Sequence, residues 1–241
     1  MKNKEKFTKN IHSEYDGEYT KKRKYLHQKI IEYFLKGVNP DQENEVTDAV
    51  LLGGGSNAGK SFLSKMLLDE GGFVFIDSDE IKLHIPEYEE YQQTESSAAA
   101  QYVHDESSDI SAILLEESIH KNLAIVYDGT MKNTQKYENI INELKRNKYT
   151  VTMLIADVSV VKAIERNKVR YEETGRMVPE SDLIESHQGI PHSFIALKDL
   201  VDEYFIYNTS GEKPILIAKK DQDGEKVLIQ QYYEEFLEKA K

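Results

Sequence analysis

The sequence lacks cysteine and tryptophan entirely, and only five of its 241 residues are proline. Without cysteine, disulfide bonds and thiolate metal sites are excluded. The seven histidines are scattered without the regular spacing of metal ligands. No apolar run approaches the roughly 20 residues needed to span a bilayer, and the first residues lack the apolar segment of a signal peptide. We therefore expect a cytoplasmic, globular chain without a membrane partner.

Basic residues are also in deficit. Lys and Arg number 31 against 43 Asp and Glu, which gives a formal net charge of −12. Binding to duplex nucleic acid depends on clustered Lys and Arg that neutralise phosphates. The composition therefore predicts no duplex nucleic-acid partner, although a local basic site remains compatible with it.

The most informative stretch is a short apolar run, Ala49–Leu52, that leads into glycines and the letters GKS. The segment from Gly54 to Ser61 fits G-x-x-x-x-G-K-[ST], in which backbone N–H groups close around phosphate oxygens. In this pattern Lys60 reaches the β- and γ-phosphates and the Ser61 hydroxyl binds Mg²⁺. The alternative is a glycine-rich turn without a ligand, but the apolar run before it and the amphipathic run after it favour a phosphate loop. The predicted nucleotide contacts are Gly54, Gly55, Ser56, Asn57, Ala58, Gly59, Lys60 and Ser61.

Acidic residues follow two further apolar runs. Asp77 and Asp79 come after residues 73–76, and Asp128 comes after residues 123–127. In open α/β sheets, ligands bind at the carboxyl ends of the strands. Asp128 in that position is typical of a carboxylate that positions Mg²⁺ or its water. The alternatives are helix N-capping for Asp77 or Asp79 and a plain turn residue for Asp128.

Three arginines fall within one predicted helix and the turn after it. Arg166 and Arg170 lie on the helix over 158–173, and Arg176 lies in the turn. Phosphoryl transfer needs positive charge around the moving phosphoryl group, often supplied by a mobile segment. The alternative for each arginine is a surface salt bridge.

Alternation of predicted strands and helices indicates an α/β fold with a largely parallel sheet flanked by helices. An amphipathic helix from Lys21 is predicted to end near Gly37, and a helix over 101–120 carries Glu106 and Asp109 near its start. The polar stretch 84–100 gives no clear pattern, and Pro86 marks a turn within it. The later elements are predicted as a helix over 180–200, a strand over 204–207, a hairpin pairing 215–217 with 227–229, and a closing helix over 231–241.

Four motifs follow one another along the chain: the loop 53–61, the D-S-D of 77–79 with the nearby His84, the D-G-T of 128–130, and Arg170 with the T-G-R-M-V-P of 174–179. In their order and spacing they resemble the zeta toxin family of P-loop kinases. The resemblance covers roughly residues 45 to 210, and we expect one P-loop kinase domain over 1–241. Within it, 1–45 is an N-terminal helical extension, 46–210 the kinase core, and 211–241 a C-terminal hairpin and helix.

The resemblance also implies functional roles. Members of the family are toxins, paired with antitoxin proteins, that use ATP and Mg²⁺ to phosphorylate the 3′-hydroxyl of UDP-N-acetylglucosamine. Asp79 then matches the general base, Arg170 and Arg176 match the phosphate-clamping arginines, and Asp128, with Ser61, lies near the metal. The residues expected to face the acceptor are Asp128, Thr130, Lys132 and Glu106.

This chain departs from the family pattern at two of those positions. Asp128 stands where the best-known toxins carry glutamate, and Lys132 stands where some members carry arginine. A lysine cannot make the bidentate contact that an arginine makes.

Three functional hypotheses follow from the sequence. The first is a kinase of UDP-N-acetylglucosamine or a related sugar nucleotide. The second is a kinase of another hydroxyl acceptor, such as a nucleoside, a dinucleotide, an antibiotic or a nucleic-acid end. The third is a nucleotide-binding switch or ATPase module. Asp79 and the arginines favour transfer over switching, because a switch needs no base for an acceptor hydroxyl.

Overall fold

The computed structural model describes residues 4–40, 46–174 and 177–241. The chain divides into two compact units, one made of Met1–Pro40 with Val74–Leu123 and the other of Asp41–Phe73 with Ala124–Lys241. Each unit is described by itself. Within the described ranges, no helix combines the length and the apolar character that a membrane crossing requires.

The helices and strands alternate along most of the chain. The helices are α1 (Thr8–His12), α2 (Lys21–Leu35), α3 (Lys60–Glu70), α4 (Ser78–Lys82), α5 (Pro86–Thr94), α6 (Ser96–Tyr102), α7 (His104–His120), α8 (Thr134–Arg146), α9 (Val160–Thr174), α10 (Glu180–Leu197) and α11 (Gln230–Glu238). The strands are β1 (Thr47–Gly54), β2 (Phe73–Asp77), β3 (Ala124–Asp128), β4 (Tyr149–Asp157), β5 (Glu203–Asn208), β6 (Ile215–Asp221) and β7 (Gly224–Val227).

The second unit is built on a sheet in which its strands run in the order β3-β1-β4-β5-β6-β7. Strands β3, β1, β4 and β5 are parallel, and β6 and β7 continue the sheet antiparallel. The pairing places Leu52 opposite Asp128 and Gly54 opposite Ala156. The loops after β1, β3 and β4 therefore leave the sheet at the same edge, which is where an open α/β sheet binds its ligand.

A buried apolar cluster supports that edge. It joins the end of β1, the phosphate loop and α3 to residues of β4, α9 and α10, so the loop rests on packed side chains. Its fully buried members are Leu52, Ala58, Leu63, Ala156, Val158, Ala163 and Leu183.

The first unit consists of β2 and the helices α1, α2 and α4 to α7. Helix α7 is its centre, because α1, α2, α4 and α6 all pack against it. The predicted amphipathic helix near the N-terminus is confirmed as α2, with Ile30 and Ile31 buried.

The α/β fold with a largely parallel sheet is confirmed, but several predicted boundaries are wrong. The polar stretch 84–100 is not irregular, since α5 occupies most of it and Pro86 is the first residue of that helix rather than part of a turn. Proline suits this position because the first helical N–H has no partner within the helix. The helix predicted over 101–120 begins only at His104, because the helical conformation is interrupted at Val103, between α6 and α7.

The C-terminal hairpin and helix are confirmed with shifted registers. Strand β7 ends at Val227, which pairs with Ala218 rather than with residues 215–217. The next two residues, Leu228 and Ile229, donate their N–H groups to the Ile217 carbonyl and lead into α11. Helix α10 ends at Leu197 and contains Pro191 within its length.

Candidate active site

The phosphate loop has the backbone geometry that its sequence predicts. Gly54 has a φ of +155°, and a Cβ there would lie 2.8 Å from Lys60 Cγ and 2.9 Å from the Ala156 carbonyl oxygen. Only glycine fits both the torsion angle and the space. Helix α3 starts directly after the loop, at Lys60. The first N–H groups of a helix lack partners within it and attract anions, so a phosphate group bound at this loop would meet the start of α3.

Asp128 lies beside the phosphate-loop lysine. Its Oδ1 is 3.5 Å from Lys60 Nζ, and its Oδ2 accepts a hydrogen bond of 3.2 Å from the Ser64 hydroxyl. The strand pairing brings Lys60 and Asp128 together although 68 positions of sequence separate them. The structure thus brings the phosphate-loop lysine and the acidic end of β3 close together.

This donor set suits Mg²⁺. The Ser61 hydroxyl and the Asp128 carboxylate are both hard oxygen donors, which Mg²⁺ prefers. Across the part of the chain that the structure describes, no three acidic or histidine side chains cluster in a way that would hold a metal ion. A magnesium ion at Ser61 and Asp128 would therefore take its other ligands from nucleotide phosphates and water, as is usual for Mg²⁺.

The loop after β3 is fixed from both sides. Met131 is fully buried, with a φ of +58°, and its side chain fills the space beside Gly53. A Cβ on Gly189 of α10 would come within 2.8 Å of Lys132 Cβ, so that glycine permits a close approach. The Lys132 ammonium lies 3.3 Å from Glu185 Oε1 and is partly exposed. Lys132 and the half-buried Thr130 thus follow Asp128 at the same sheet edge.

Two of the three predicted arginines reach the phosphate loop from α9. The Arg166 guanidinium donates to the carbonyl oxygens of Asn57 (3.3 Å) and Thr209 (2.5 Å). Arg170 is exposed, and its Nη1 lies 3.5 Å from Asn57 Oδ1. Both arginines therefore contact Asn57 of the loop, and Arg166 also ties the loop to Thr209. Arg176 lies outside the described residues.

Helix α10 contributes two residues that the sequence analysis missed. The Ser56 N–H donates to Ser186 Oγ at 2.9 Å, and His187 Nε2 lies 3.0 Å from the Ser56 carbonyl oxygen. Burial lowers the pKa of His187 to about 4. A histidine and a serine inside a buried helix face gave no sequence signal, because 130 positions separate Ser56 from Ser186.

In the first unit, Asp77 and Asp79 have different roles. Asp77 caps α4, since its side chain accepts a hydrogen bond of 2.8 Å from the Asp79 N–H. The alternative reading of Asp77 as an N-cap is thus confirmed. Asp79 is exposed in the first turn of α4, where Lys82 donates to its Oδ1 at 2.5 Å.

Glu106 is buried in the first unit, on α7. It accepts hydrogen bonds from Arg23 and from His27 of α2, at 2.8 Å and 2.6 Å for its two oxygens. Burial alone would raise the pKa of Glu106, but these hydrogen bonds outweigh it and lower the pKa to about 2. Arg23 also binds both oxygens of Glu87. The structure therefore gives Glu106 charged partners within its own unit, while a contact with substrate stays a prediction.

Replacing Arg170 by Ala is expected to lower kcat by about 10- to 100-fold, the cost of losing one charge-assisted hydrogen bond. Nucleotide affinity should change much less, because the contact gains strength as charge shifts in the transition state. Steady-state kinetics and nucleotide titration on the same preparation test this. Lys168→Ala, which removes an exposed cation from the same helix, is the control. Equal, small effects of Arg170→Ala on kcat and affinity would assign the residue to the surface.

Comparison with known proteins agrees with this geometry. The sequence profile described as Zeta toxin matches residues 34–229. Toxin PezT of Streptococcus pneumoniae serotype 4 is 26% identical over 127 residues, covering 52% of this chain and 50% of the relative. Toxin zeta of Streptococcus agalactiae is 24% identical over 180 residues, covering 70% of this chain and 63% of the relative. The chain thus spans less than two thirds of the length of either relative.

Solved structures share the fold. A structure of the PezAT chromosomal toxin-antitoxin system of Streptococcus pneumoniae superposes with a TM-score of 0.74 and 19% identity, covering 90% of this chain and 88% of the other. AvrRxo1-ORF1:-ORF2 with ATP superposes with a TM-score of 0.69 and 16% identity, covering 92% of this chain and 74% of the other. At such identities the likeness is one of fold. Because the family profile covers most of the sequence, the chain belongs to the zeta toxin family of P-loop kinases.

Proposed function

We propose that this protein transfers the γ-phosphate of ATP to a hydroxyl group of UDP-N-acetylglucosamine or a related sugar nucleotide. The observation that carries the proposal is the convergence of Lys60, Asp128 and the start of α3 at one sheet edge. Such a site binds the phosphates of a nucleotide, and family membership supports a kinase. The acceptor is proposed from the resemblance of the motifs at 77–79, 128–130 and 174–179.

The nucleotide phosphates bind the loop from Gly54 to Ser61. Its backbone N–H groups and Lys60 neutralise phosphate charge. Mg²⁺ held by the Ser61 hydroxyl and Asp128 would supply further positive charge to the phosphate oxygens. Positioning and electrostatics then account for most of the rate, because phosphoryl transfer leaves little covalent chemistry to the protein.

Asp79 is the proposed general base. In the carboxylate form it takes the proton of the acceptor hydroxyl as the oxygen–phosphorus bond forms and the bond to the ADP oxygen breaks. Lys82 donates a hydrogen bond to Asp79 Oδ1. Arg170 and Arg176 are proposed to stabilise the transferring phosphoryl group.

The proposed acceptor site uses the loop after β3. Lys132 supplies a cation for the diphosphate of a sugar nucleotide, and Thr130 and Asp128 supply polar groups that select its hydroxyls. Glu106 is retained as a proposed acceptor contact from the resemblance alone. Its hydrogen bonds to Arg23 and His27 also support a structural role, in which Glu106 joins α7 to α2.

Incubation of the purified protein with ATP, Mg²⁺ and UDP-N-acetylglucosamine tests the acceptor. Mass spectrometry should show the sugar nucleotide gaining one phosphate, and Lys60→Ala should abolish the gain. If another hydroxyl compound is phosphorylated and this sugar nucleotide stays unmodified, the acceptor assignment is wrong and the kinase assignment stands.

Lys132→Ala is expected to raise KM for the sugar nucleotide about tenfold, the cost of one charge-assisted contact, while KM for ATP stays unchanged. The selectivity follows because Lys132 lies on the loop after β3, not on the phosphate loop. Steady-state kinetics with each substrate varied in turn measure both constants. Lys136→Ala, which removes a cation from the following helix, is the matched control. A rise of both KM values to the same extent would contradict a specific role in binding the acceptor.

We also propose that the active kinase harms its host cell and is held inactive by an antitoxin protein. The PezAT structure named above belongs to a toxin-antitoxin system, and such pairing comes to this chain as a proposal. Expression of the wild type should slow growth, whereas expression of Lys60→Ala to the same level should not, since toxicity depends on phosphoryl transfer. Growth curves with matched protein levels measure this. Normal growth with a demonstrably active enzyme would point to a metabolic kinase.

A further inference from the structure

Both polar groups of the Ser56 backbone are bound by side chains of α10. The N–H donates to Ser186 Oγ (2.9 Å), and the carbonyl oxygen lies 3.0 Å from His187 Nε2. The Ser186 hydroxyl donates its own hydrogen to the Leu183 carbonyl oxygen (2.7 Å). Its lone pair is therefore turned toward the Ser56 N–H. Ser186 and His187 are each only 2% exposed, so water does not compete for either contact.

The chemistry of these contacts fixes the state of His187. A carbonyl oxygen only accepts, so Nε2 must carry the hydrogen and donate it. Burial disfavours the imidazolium form, and His187 adds no charge to the loop. The ring also lies directly over Gly55, where a Cβ would meet His187 Cδ2 at 2.4 Å. The loop sequence and the helix face are thus complementary in shape and in hydrogen bonding.

This arrangement has a consequence for nucleotide binding. A flexible glycine-rich loop would lose conformational entropy when it closed around phosphate. A loop already held in place avoids that cost, which is the basis of preorganised binding. Because Ser186 occupies the Ser56 N–H, the anion is left to other N–H groups of the loop and of the start of α3, near Lys60.

We infer that Ser186 and His187 of α10 are positioning residues that hold the phosphate loop in its nucleotide-binding conformation before the nucleotide arrives. The inference rests on the proposed function, because it assigns these residues to the nucleotide site. Neither side chain need touch the nucleotide, since both act through the backbone of Ser56.

Calorimetric titration of the full chain with a non-hydrolysable ATP analogue and Mg²⁺ tests the inference. His187→Ala and Ser186→Ala should each weaken binding by about 5- to 100-fold, the range for a buried hydrogen-bonding group left without its partner. His187→Gln should recover most of the affinity, because its amide N–H can donate to the Ser56 carbonyl. Ser111→Ala is the control: it removes a buried serine that bonds the Ser107 carbonyl within α7, and it should leave affinity unchanged.

Kinetics add a second criterion. The positioning variants should raise KM for ATP while kcat at saturating ATP stays within about threefold, since the chemical groups are intact. Wild-type affinity in both alanine variants, or no recovery by His187→Gln, would overturn the inference and leave the proposed function standing. No binding by the wild type would overturn both. If His187→Ala fails to fold, Ser186→Ala decides the question in the same way.

Discussion

An Asp79→Asn variant should bind ATP with unchanged affinity and transfer phosphate about 10²- to 10⁴-fold more slowly than the wild type. The range is that for removing a general base. Asparagine keeps the size of the side chain and accepts hydrogen bonds, but it cannot take a proton from the acceptor hydroxyl. Turnover and nucleotide affinity, measured side by side, test this expectation.

The matched control for Asp79→Asn is Glu80→Gln. It removes a carboxylate from the next position of α4, also exposed and in the first turn of the helix. Both variants change the net charge equally, so a general electrostatic effect would slow both. Turnover in Asp79→Asn equal to that of Glu80→Gln would remove Asp79 from the mechanism.

Replacing Arg23 by Met should lower the free energy of unfolding by about 3–5 kcal/mol, the usual cost of removing one partner from a buried ion pair. Arg23 is 6% exposed and bridges Glu87 and Glu106, and Glu106 has no exposed surface. The variant leaves the Glu106 carboxylate buried, with hydrogen bonds from His27 and Thr8 but without the guanidinium group. Denaturant unfolding at neutral pH measures the change.

Two further observations test the Arg23 prediction. Lys24→Met, the control, removes the adjacent cation on α2, whose pair with Glu18 is exposed and is therefore expected to contribute little to stability. The pKa of Glu106 in the folded chain, about 2, lies below the ordinary value of about 4.3. The stability from Glu106 is therefore complete above about pH 4.3 and is lost as the pH falls toward 2. The difference between wild type and Arg23→Met should shrink over that range, and equal stability of Arg23→Met and Lys24→Met at neutral pH would contradict the account.

The phosphate loop was predictable because the residues that define it are close together in the sequence. Its glycines, Lys60 and Ser61 are consecutive or nearly so, and their spacing alone specifies the backbone geometry. Asp128 was predictable for a related reason, since parallel strands place their carboxyl ends at one edge. In the structure Leu52 lies opposite Asp128, at the edge that this rule indicates.

Other features depend on contacts that no local pattern records. Glu106 looked like one more acid at the start of a helix, but its partner Arg23 lies 83 positions away. The helices α5 and α6 were not predicted, because their sequence is largely polar and shows no apolar periodicity. Helix α5 is held by a contact that is distant in sequence: the Tyr91 hydroxyl donates to the Lys6 carbonyl, 85 positions away. Ser186 and His187 belong to the same class, because only the folded chain brings α10 to the phosphate loop.

The proposal that this protein is a kinase is tested by following the terminal phosphoryl group of ATP. The purified protein is incubated with Mg²⁺ and ATP labelled at the γ-phosphate, together with an extract of small hydroxyl compounds that contains UDP-N-acetylglucosamine. We expect the label to appear in an organic acceptor. Lys60→Ala should abolish this transfer, and Asp79→Asn should slow it at least 100-fold. If the label is released only as inorganic phosphate, at the same rate in the wild type and in Asp79→Asn, the protein is a nucleotide hydrolase. That result would contradict transfer to an acceptor hydroxyl.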